Sequence, residues 1–280
     1  MSTAPLLLPH GRLVEINGHL DDRSVLGALK HQNGEWEPHI GALLQRLVQP
    51  DWVCLDVGAN IGVHTLALSA LAAHTYAFEP SRETFGFLTK NAIAHKQNPV
   101  TCIQAAAWYE SGKLNLFTAQ GLAGCAFVTP DEGDAGNRAK LREIVTNPAL
   151  SDEDFNGETA MVEAICLDEW ASESNQSRID LIKIDVQGAE IEALTGARAL
   201  FSRFKPLLVV EYDLACARIC FGREEHELFE FLKELFAQMR IIKSDGTLTE
   251  PLEWHELKQW LDDGKGQEDL LCIPAGRELF

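Results

Sequence analysis

WVCLDVGANIG, residues 52–62, decides the fold of this chain. Val53, Cys54, Leu55 and Val57 make an apolar run with the length of a fully buried strand. The run breaks into Gly58, Ala59, Asn60, Ile61 and Gly62. GVHTLALSALAA then reads as a helix with Leu66, Ala70 and Ala73 on one face. Strand, glycine turn and helix in that order build a nucleotide site. The glycines permit a tight turn and close approach to the main chain, and the helix N-terminus offers unpaired N–H groups and a partial positive charge. The spacing is G-A-N-I-G rather than G-x-G-x-x-G, which counts against a nicotinamide or flavin ligand. Asp56 ends the strand with a carboxylate, better suited to a cationic or amine-bearing ligand than to a pyrophosphate.

TYAFEP, residues 75–80, reads as the next strand, ending in Glu79 and Pro80. Glu79 lies 17 residues past Gly62. An acidic residue about 20 positions beyond the glycine turn sits at the tip of the second strand, where it accepts ribose hydroxyls. SRETFGFLTKNAIAH follows as a helix capped by Ser81, with Phe85, Leu88 and Ala92 on its buried face. VTCIQAAAW, residues 100–108, reads as the third strand, whose end borders an adenine pocket in a doubly wound sheet. Gln104, Ala105 and Ala106 are small or edge-polar candidates there, and Trp108 is a candidate to stack nearby. The expected cofactor set is therefore Asp56, Gly58, Asn60, Gly62, Glu79, Pro80, Gln104, Ala105 and Ala106.

A second functional block is IDLIKIDVQGAE, residues 179–190. Ile179, Leu181, Ile182 and Ile184 read as a buried strand with Lys183 and Asp185 at its exit, and AEIEALTGARALF as the helix after it. PLLVVEYD, residues 206–213, is the next central strand and ends in Glu211 and Asp213. In open α/β sheets ligands sit beyond the carboxyl ends of the strands, which would gather Asp56, Glu79, Asp185 and Glu211. Asp185, Lys183 and Glu211 are the catalytic candidates. Asp185 would accept a proton from a substrate hydroxyl, hold an amine or bind a metal. Lys183 would orient the acceptor or pair with Asp185. Asp185 and Glu211 together are an alternative seat for a divalent ion, magnesium by ligand type, but no metal site is expected.

DVGANIG at 56–62, AFEP at 77–80 and DLIKIDVQGAE at 180–190, in that order and spacing, resemble the FkbM family of S-adenosylmethionine-dependent methyltransferases. The resemblance covers roughly Trp52 to Asp213 and, more weakly, LLCIP near the C-terminus. It departs at Gln187, where the family usually carries glutamate. Periodicity alone gives alternating α/β structure. The resemblance implies a Rossmann-like class I methyltransferase fold with a mostly parallel, doubly wound, seven-stranded sheet whose final strand is antiparallel. It also implies S-adenosylmethionine as cofactor and O-methylation of a hydroxyl on a sugar or small natural product.

Residues 1–50 are expected to form an N-terminal helical cap and 51–280 the cofactor-binding domain. RLVEING at 12–18 suits a short strand and turn, and EPHIGALLQRLV at 37–48 a helix that packs on the sheet edge or roofs the cleft. His31, Trp36, Glu37 and His39 are weaker pocket-lid candidates. KLNLFT, residues 113–118, alternates like an exposed strand, but the pattern is lost over 121–160. That acidic insertion holds Asp131, Glu132, Asp134, Asp152, Glu153, Asp154 and Glu158, with a short helix at NRAKLREIV, and reads as a substrate-facing lid.

Twenty-four basic against 42 acidic residues give a formal charge of −18 over 280 residues, which repels phosphate backbones and disfavours a nucleic-acid substrate. The seven cysteines form no CxxC pair, as expected of a reducing, cytoplasmic setting without a zinc site. No membrane span or leader is expected, and the oligomeric state is not legible. Two other readings stay open: a nicotinamide-dependent oxidoreductase on the same fold, and a non-catalytic nucleotide-binding module.

Overall fold

The structure is a computed structural model describing residues 1–129, 133–264 and 266–279. The first six strands are β1 (Ser2–Leu8), β2 (Arg12–Gly18), β3 (Val53–Val57), β4 (His74–Phe78), β5 (Val100–Ile103) and β6 (Ala106–Trp108). Next come β7 (Gly112–Ala119), β8 (Phe127–Val128), β9 (Gly157–Cys166), β10 (Leu181–Ile184), β11 (Leu207–Asp213), β12 (Gln238–Ile241) and β13 (Gln267–Ile273). The helices are α1 (Val25–His31), α2 (Pro38–Leu47), α3 (Val63–Leu71), α4 (Arg82–His95), α5 (Gly133–Ile144) and α6 (Leu167–Glu173). They continue with α7 (Glu190–Thr195), α8 (Arg198–Phe204), α9 (Leu214–Phe221), α10 (Glu227–Leu235) and α11 (Trp254–Asp263).

Seven strands form the central sheet in the order β12-β13-β11-β10-β3-β4-β5. From β11 to β5 every neighbouring pair is parallel. β13 runs antiparallel to both of its neighbours. Strand side chains alternate between faces, and both faces are covered. Cys54, Leu181, Val209 and Leu271 pack under α2 and α3. Leu55, Ile182, Leu208 and Leu270 pack against the helices that follow β9. These central strands are accordingly near-continuous apolar runs.

The register explains why polar groups converge at one end. Lys183 stands beside Asp56, and Glu211 beside Asp269. All four share the parity of the residues facing α2 and α3, so they continue that apolar face as a polar cluster at the strands' carboxyl ends. α2 and α3 begin over the same end, and their first residues complete it.

Several expectations need correction. The cap is not purely helical: β1 and β2 form an antiparallel hairpin, and α1 and α2 follow. Its basis is period-two burial, with Ala4, Leu6 and Leu8 facing Val14 and Ile16 in one core. The run 100–108 is two strands, because Ala105 N–H turns back to Ile103 O at 3.1 Å. β5 stays in the central sheet while β6 joins a second sheet of order β6-β9-β7-β8. The helix expected over 189–201 is likewise split into α7 and α8 at Gly196–Ala197. The described part of the insertion holds β8, the expected helix as α5, and the start of β9. Its Asp131 and Glu132 lie outside the described residues. Among the described residues no helix is long and apolar enough to cross a membrane.

Candidate active site

Gly58 follows β3 with φ +82°, and a Cβ there would stand 1.9 Å from Asp185 O, so the turn and the end of β10 touch through bare backbone. Asn60 takes the left-handed conformation that asparagine tolerates, φ 51°. Its N–H donates to Glu79 Oε2 at 3.0 Å, and Ser81 N–H donates to Glu79 Oε1 at 2.8 Å. Each carboxylate oxygen keeps a further acceptor position. Burial raises Glu79 to about 7, although both N–H groups oppose the shift.

A cavity of about 410 Å³ opens over these strand ends. Gly58, Asn60, Glu79, Pro80, Ala105 and Ala106 line one side, and Lys183, Asp185 and Glu211 another. Nine of the twelve expected site residues therefore meet in one space. The other three lie elsewhere. Asp56 sits a layer below, where its Oδ2 accepts from Thr65 Oγ1 at 2.6 Å. Its Oδ1 has no hydrogen-bond partner among the described residues. Gly62 caps α3 behind the turn. Gln104 faces a neighbouring groove between α4 and the second sheet. Trp108 packs beside Tyr109 and Phe221 rather than in the cavity.

The catalytic candidates form a chain of hydrogen bonds. Lys183 Nζ donates to Asp185 Oδ2 at 3.1 Å. Gln187 Nε2 donates to Asp185 Oδ1 at 3.0 Å and to Glu211 Oε2 at 3.1 Å. Gln267 Nε2 donates to Glu211 Oε1. Burial alone would lower Lys183, but Asp185, Glu37, Asp56 and Asp269 outweigh it and hold the ammonium above its ordinary range. Burial would raise Asp185, yet Lys183 and the Gln187 amide bring it below the usual carboxylate value. Glu211, buried with Asp185, Asp269, Asp213 and Glu37 nearby, is pushed well above it. Lys183 and the Gln187 amide thus pull Asp185 down while burial beside other acids pushes Glu211 up, so the two neighbouring carboxyl groups are shifted in opposite directions.

The N-terminal segment completes the wall. Trp36 and Glu37 line the cavity. Glu37 precedes α2 in a left-handed conformation, φ 41°, and its Oε2 meets His64 Nε2 at 2.7 Å. Burial works against ionised Glu37, and the bond to His64 outweighs it, leaving the group below its ordinary value. His39 bonds Asp269 at 2.7 Å instead, and His31 takes no part in the lining. The insertion supplies the roof. Ala123 to Ala126, Val128, Ile144 and Val145 all face the cavity. The roof is tied down by Gly124 N–H to Ser24 Oγ at 2.9 Å and by Arg23 N–H to Gly121 O at 2.9 Å. His64, Gln267 and Ser24 were not expected from sequence. His64 had a local signal, since it lies in the first turn of the helix after the glycine loop. Gln267 had none. Among the described residues no group of three or more His, Cys, Asp or Glu is disposed to hold a metal ion.

Residues 56–241 match the methyltransferase FkbM domain. The chain belongs to the FkbM methyltransferase family. Among curated FkbM-type relatives, methyltransferase sdnD of Sordaria araneosa is 30% identical over 154 residues, covering 51% of this chain and 59% of that protein. The 2-O-methyltransferase NoeI of Sinorhizobium fredii is 27% identical, covering 61% of this chain and 67% of that protein. The 31-O-demethyl-FK506 methyltransferase FkbM of Streptomyces tacrolimicus is 27% identical, covering 60% and 68%. The match thus spans about three fifths of the first of these relatives. Membership of a methyltransferase family sets aside the oxidoreductase alternative.

Proposed function

We propose that this protein is an S-adenosylmethionine-dependent O-methyltransferase of class I fold, acting on a hydroxyl of a sugar or small natural product. The observation that carries the reading is the Lys183–Asp185 pair, its lysine buried and its carboxylate open to the cavity, facing Glu79 and the Gly58–Asn60 turn across one space. O-methyltransferase names among the relatives support the oxygen acceptor. The same reading keeps the protein cytoplasmic, supported by seven cysteines without a CxxC pair, five of them buried. It also keeps nucleic acid out, on the −18 charge and a cavity walled by carboxylates.

The residues suit the cofactor. Glu79 has acceptor capacity to spare for ribose hydroxyls, and Pro80, Ala105 and Ala106 leave a flat, small-residue wall for an adenine ring. Asn60 and Gly58 present main chain to the methionine part. S-adenosylmethionine, when bound, supplies a methyl group on a sulfonium, which makes in-line displacement by an oxygen lone pair feasible with a neutral leaving group. The chain's own contribution is alignment and proton handling. Asp185, kept ionised by Lys183 and Gln187, takes the proton of the acceptor hydroxyl. Lys183, anchored to Asp185, fixes the base and presents an N–H toward the acceptor oxygen.

The test begins with calorimetric titration of the protein with S-adenosylhomocysteine and NADH, followed by an acceptor screen read by S-adenosylhomocysteine release. Asp185→Asn is expected to retain cofactor binding and lose turnover by about 10²–10⁴-fold. Absence of adenosyl-ligand binding by the wild type would overturn the assignment.

A further inference from the structure

Two acidic side chains from adjacent strands meet a single carboxamide in this site. Both hydrogens on Gln187 Nε2 are used, one on Asp185 Oδ1 at 3.0 Å and one on Glu211 Oε2 at 3.1 Å. The outer oxygens are held as well, Asp185 Oδ2 by Lys183 and Glu211 Oε1 by Gln267. At its other end Gln187 Oε1 faces the Cys216 thiol at 3.8 Å. The residue cannot slide away. A Cβ on the following Gly188 would lie 2.8 Å from Cys216 backbone, and Glu190 Oε1 accepts both Val186 N–H and Gly188 N–H at 3.2 Å.

The two nitrogen-to-oxygen distances carry a further meaning. Oxygen ligands about 2.1 Å from a small octahedral cation stand about 3.0 Å from one another along an edge. The 3.0 and 3.1 Å bonds of Gln187 Nε2 are ordinary N–H···O lengths, and an oxygen in the place of that nitrogen would stand at the same edge distance from both carboxyl oxygens. The two amide hydrogens link the side chains of Asp185 and Glu211 at the place where a carboxylate oxygen would instead leave room for a cation.

We propose that Gln187 is a positioning residue whose carboxamide binds the Asp185–Glu211 pair in place of a divalent cation, and that an isosteric carboxylate at this position converts the three side chains into a cation site. The catalytic meaning rests on the methyl-transfer reading, whereas the chemistry is testable without an acceptor. Mn²⁺ is titrated by electron paramagnetic resonance into wild type, Gln187→Glu and Gln187→Glu/Asp185→Asn, with calorimetric binding of S-adenosylhomocysteine as the control for folding. Wild type is expected to leave Mn²⁺ free into the millimolar range. Gln187→Glu is expected to bind one equivalent at least about tenfold more tightly, through the hard oxygen ligands such ions prefer. The double variant is expected to lose that gain. If Gln187→Glu does not fold, Gln187→Met removes both donors at similar length and is expected to bind Mn²⁺ more tightly than wild type. Once an acceptor is known, EDTA should leave wild-type turnover unchanged. Gln187→Glu should fall by about a hundredfold and recover with Mg²⁺. One equivalent of Mn²⁺ bound by wild type and released by Asp185→Asn would overturn the proposal. So would a folded Gln187→Glu with wild-type Mn²⁺ affinity, or a Gln187→Met with none gained. Failure of the methyl-transfer reading shows separately, as loss of adenosyl-ligand binding by wild type.

Discussion

A single carboxylate gives the proposed cofactor pocket its own pH response. Glu79 is held near 7 by burial, so its proton leaves in the physiological range. Ribose hydroxyls donate to the ionised form best. Affinity for S-adenosylhomocysteine is therefore expected to rise between pH 6 and pH 8 and then level off. Glu79→Gln should flatten that profile and cost about tenfold at pH 8, as loss of a charged acceptor does. A profile in the variant that still follows the wild type would assign the titration to another group. Lys183 offers a second residue-scale test. It is 97% buried against Asp185, whose half-buried carboxylate loses its only ion-pair partner among the described residues when the lysine goes. Lys183→Met should cost about 3–5 kcal/mol in urea denaturation. Adding Asp185→Asn to that variant should restore part of the loss, a non-additivity that isolates the pair.

At the scale of the element, glycines in similar company have opposite roles. Gly58 joins β3 to the turn, with a left-handed backbone and Asp185 O in the place of a side chain. Gly58→Ala is expected to abolish soluble, cofactor-binding protein. Gly41, inside α2, has nothing within 4 Å of its Cβ position, and Gly41→Ala should stabilise by about 0.5–1 kcal/mol in thermal or urea unfolding. The strand–turn–helix unit and the acids at its strand ends were legible because each rests on local pattern: buried runs, a glycine turn, one carboxylate per strand exit. The bond of Glu37 to His64 and that of Gln267 to Glu211 were not legible. These residues reach the cavity through strand register and the placement of α2 and α3, which no short window encodes. The break after β5 and the hairpin of β1 with β2 were missed differently. Alanine-rich VTCIQAAAW gives no sign that its second half leaves one sheet for another, and STAPLLL carries a proline and three consecutive leucines that blur its period-two pattern.

For the molecule as a whole, acid carboxylates held high by burial set the direction of stability with pH. Glu79 and Glu190 stand near 7 and Glu211 well above its ordinary range. A folded-state value above the unfolded one means that the folded state binds the proton more tightly. These groups stabilise fully below the unfolded carboxylate range, and that contribution is lost as pH rises through the folded values. The formal charge of −18 adds self-repulsion in the same sense. The ligand-free protein is thus expected to melt at a higher temperature at pH 6 than at pH 8, with the difference reduced at saturating S-adenosylhomocysteine. Equal melting temperatures would show that the raised carboxylates relax in solution. The strand order has a consequence of another kind, for the timing of assembly during synthesis. β13 is the last strand of the sheet to be made, yet it lies between β11 and β12 and carries Gln267 and Asp269. A nascent chain that has emerged only as far as β12 has β11 as an open edge, β12 without its neighbour, and a cavity wall still inside the ribosome. Translation must therefore pass residue 273 before any acceptor can meet a finished site, and a partly made chain is inert.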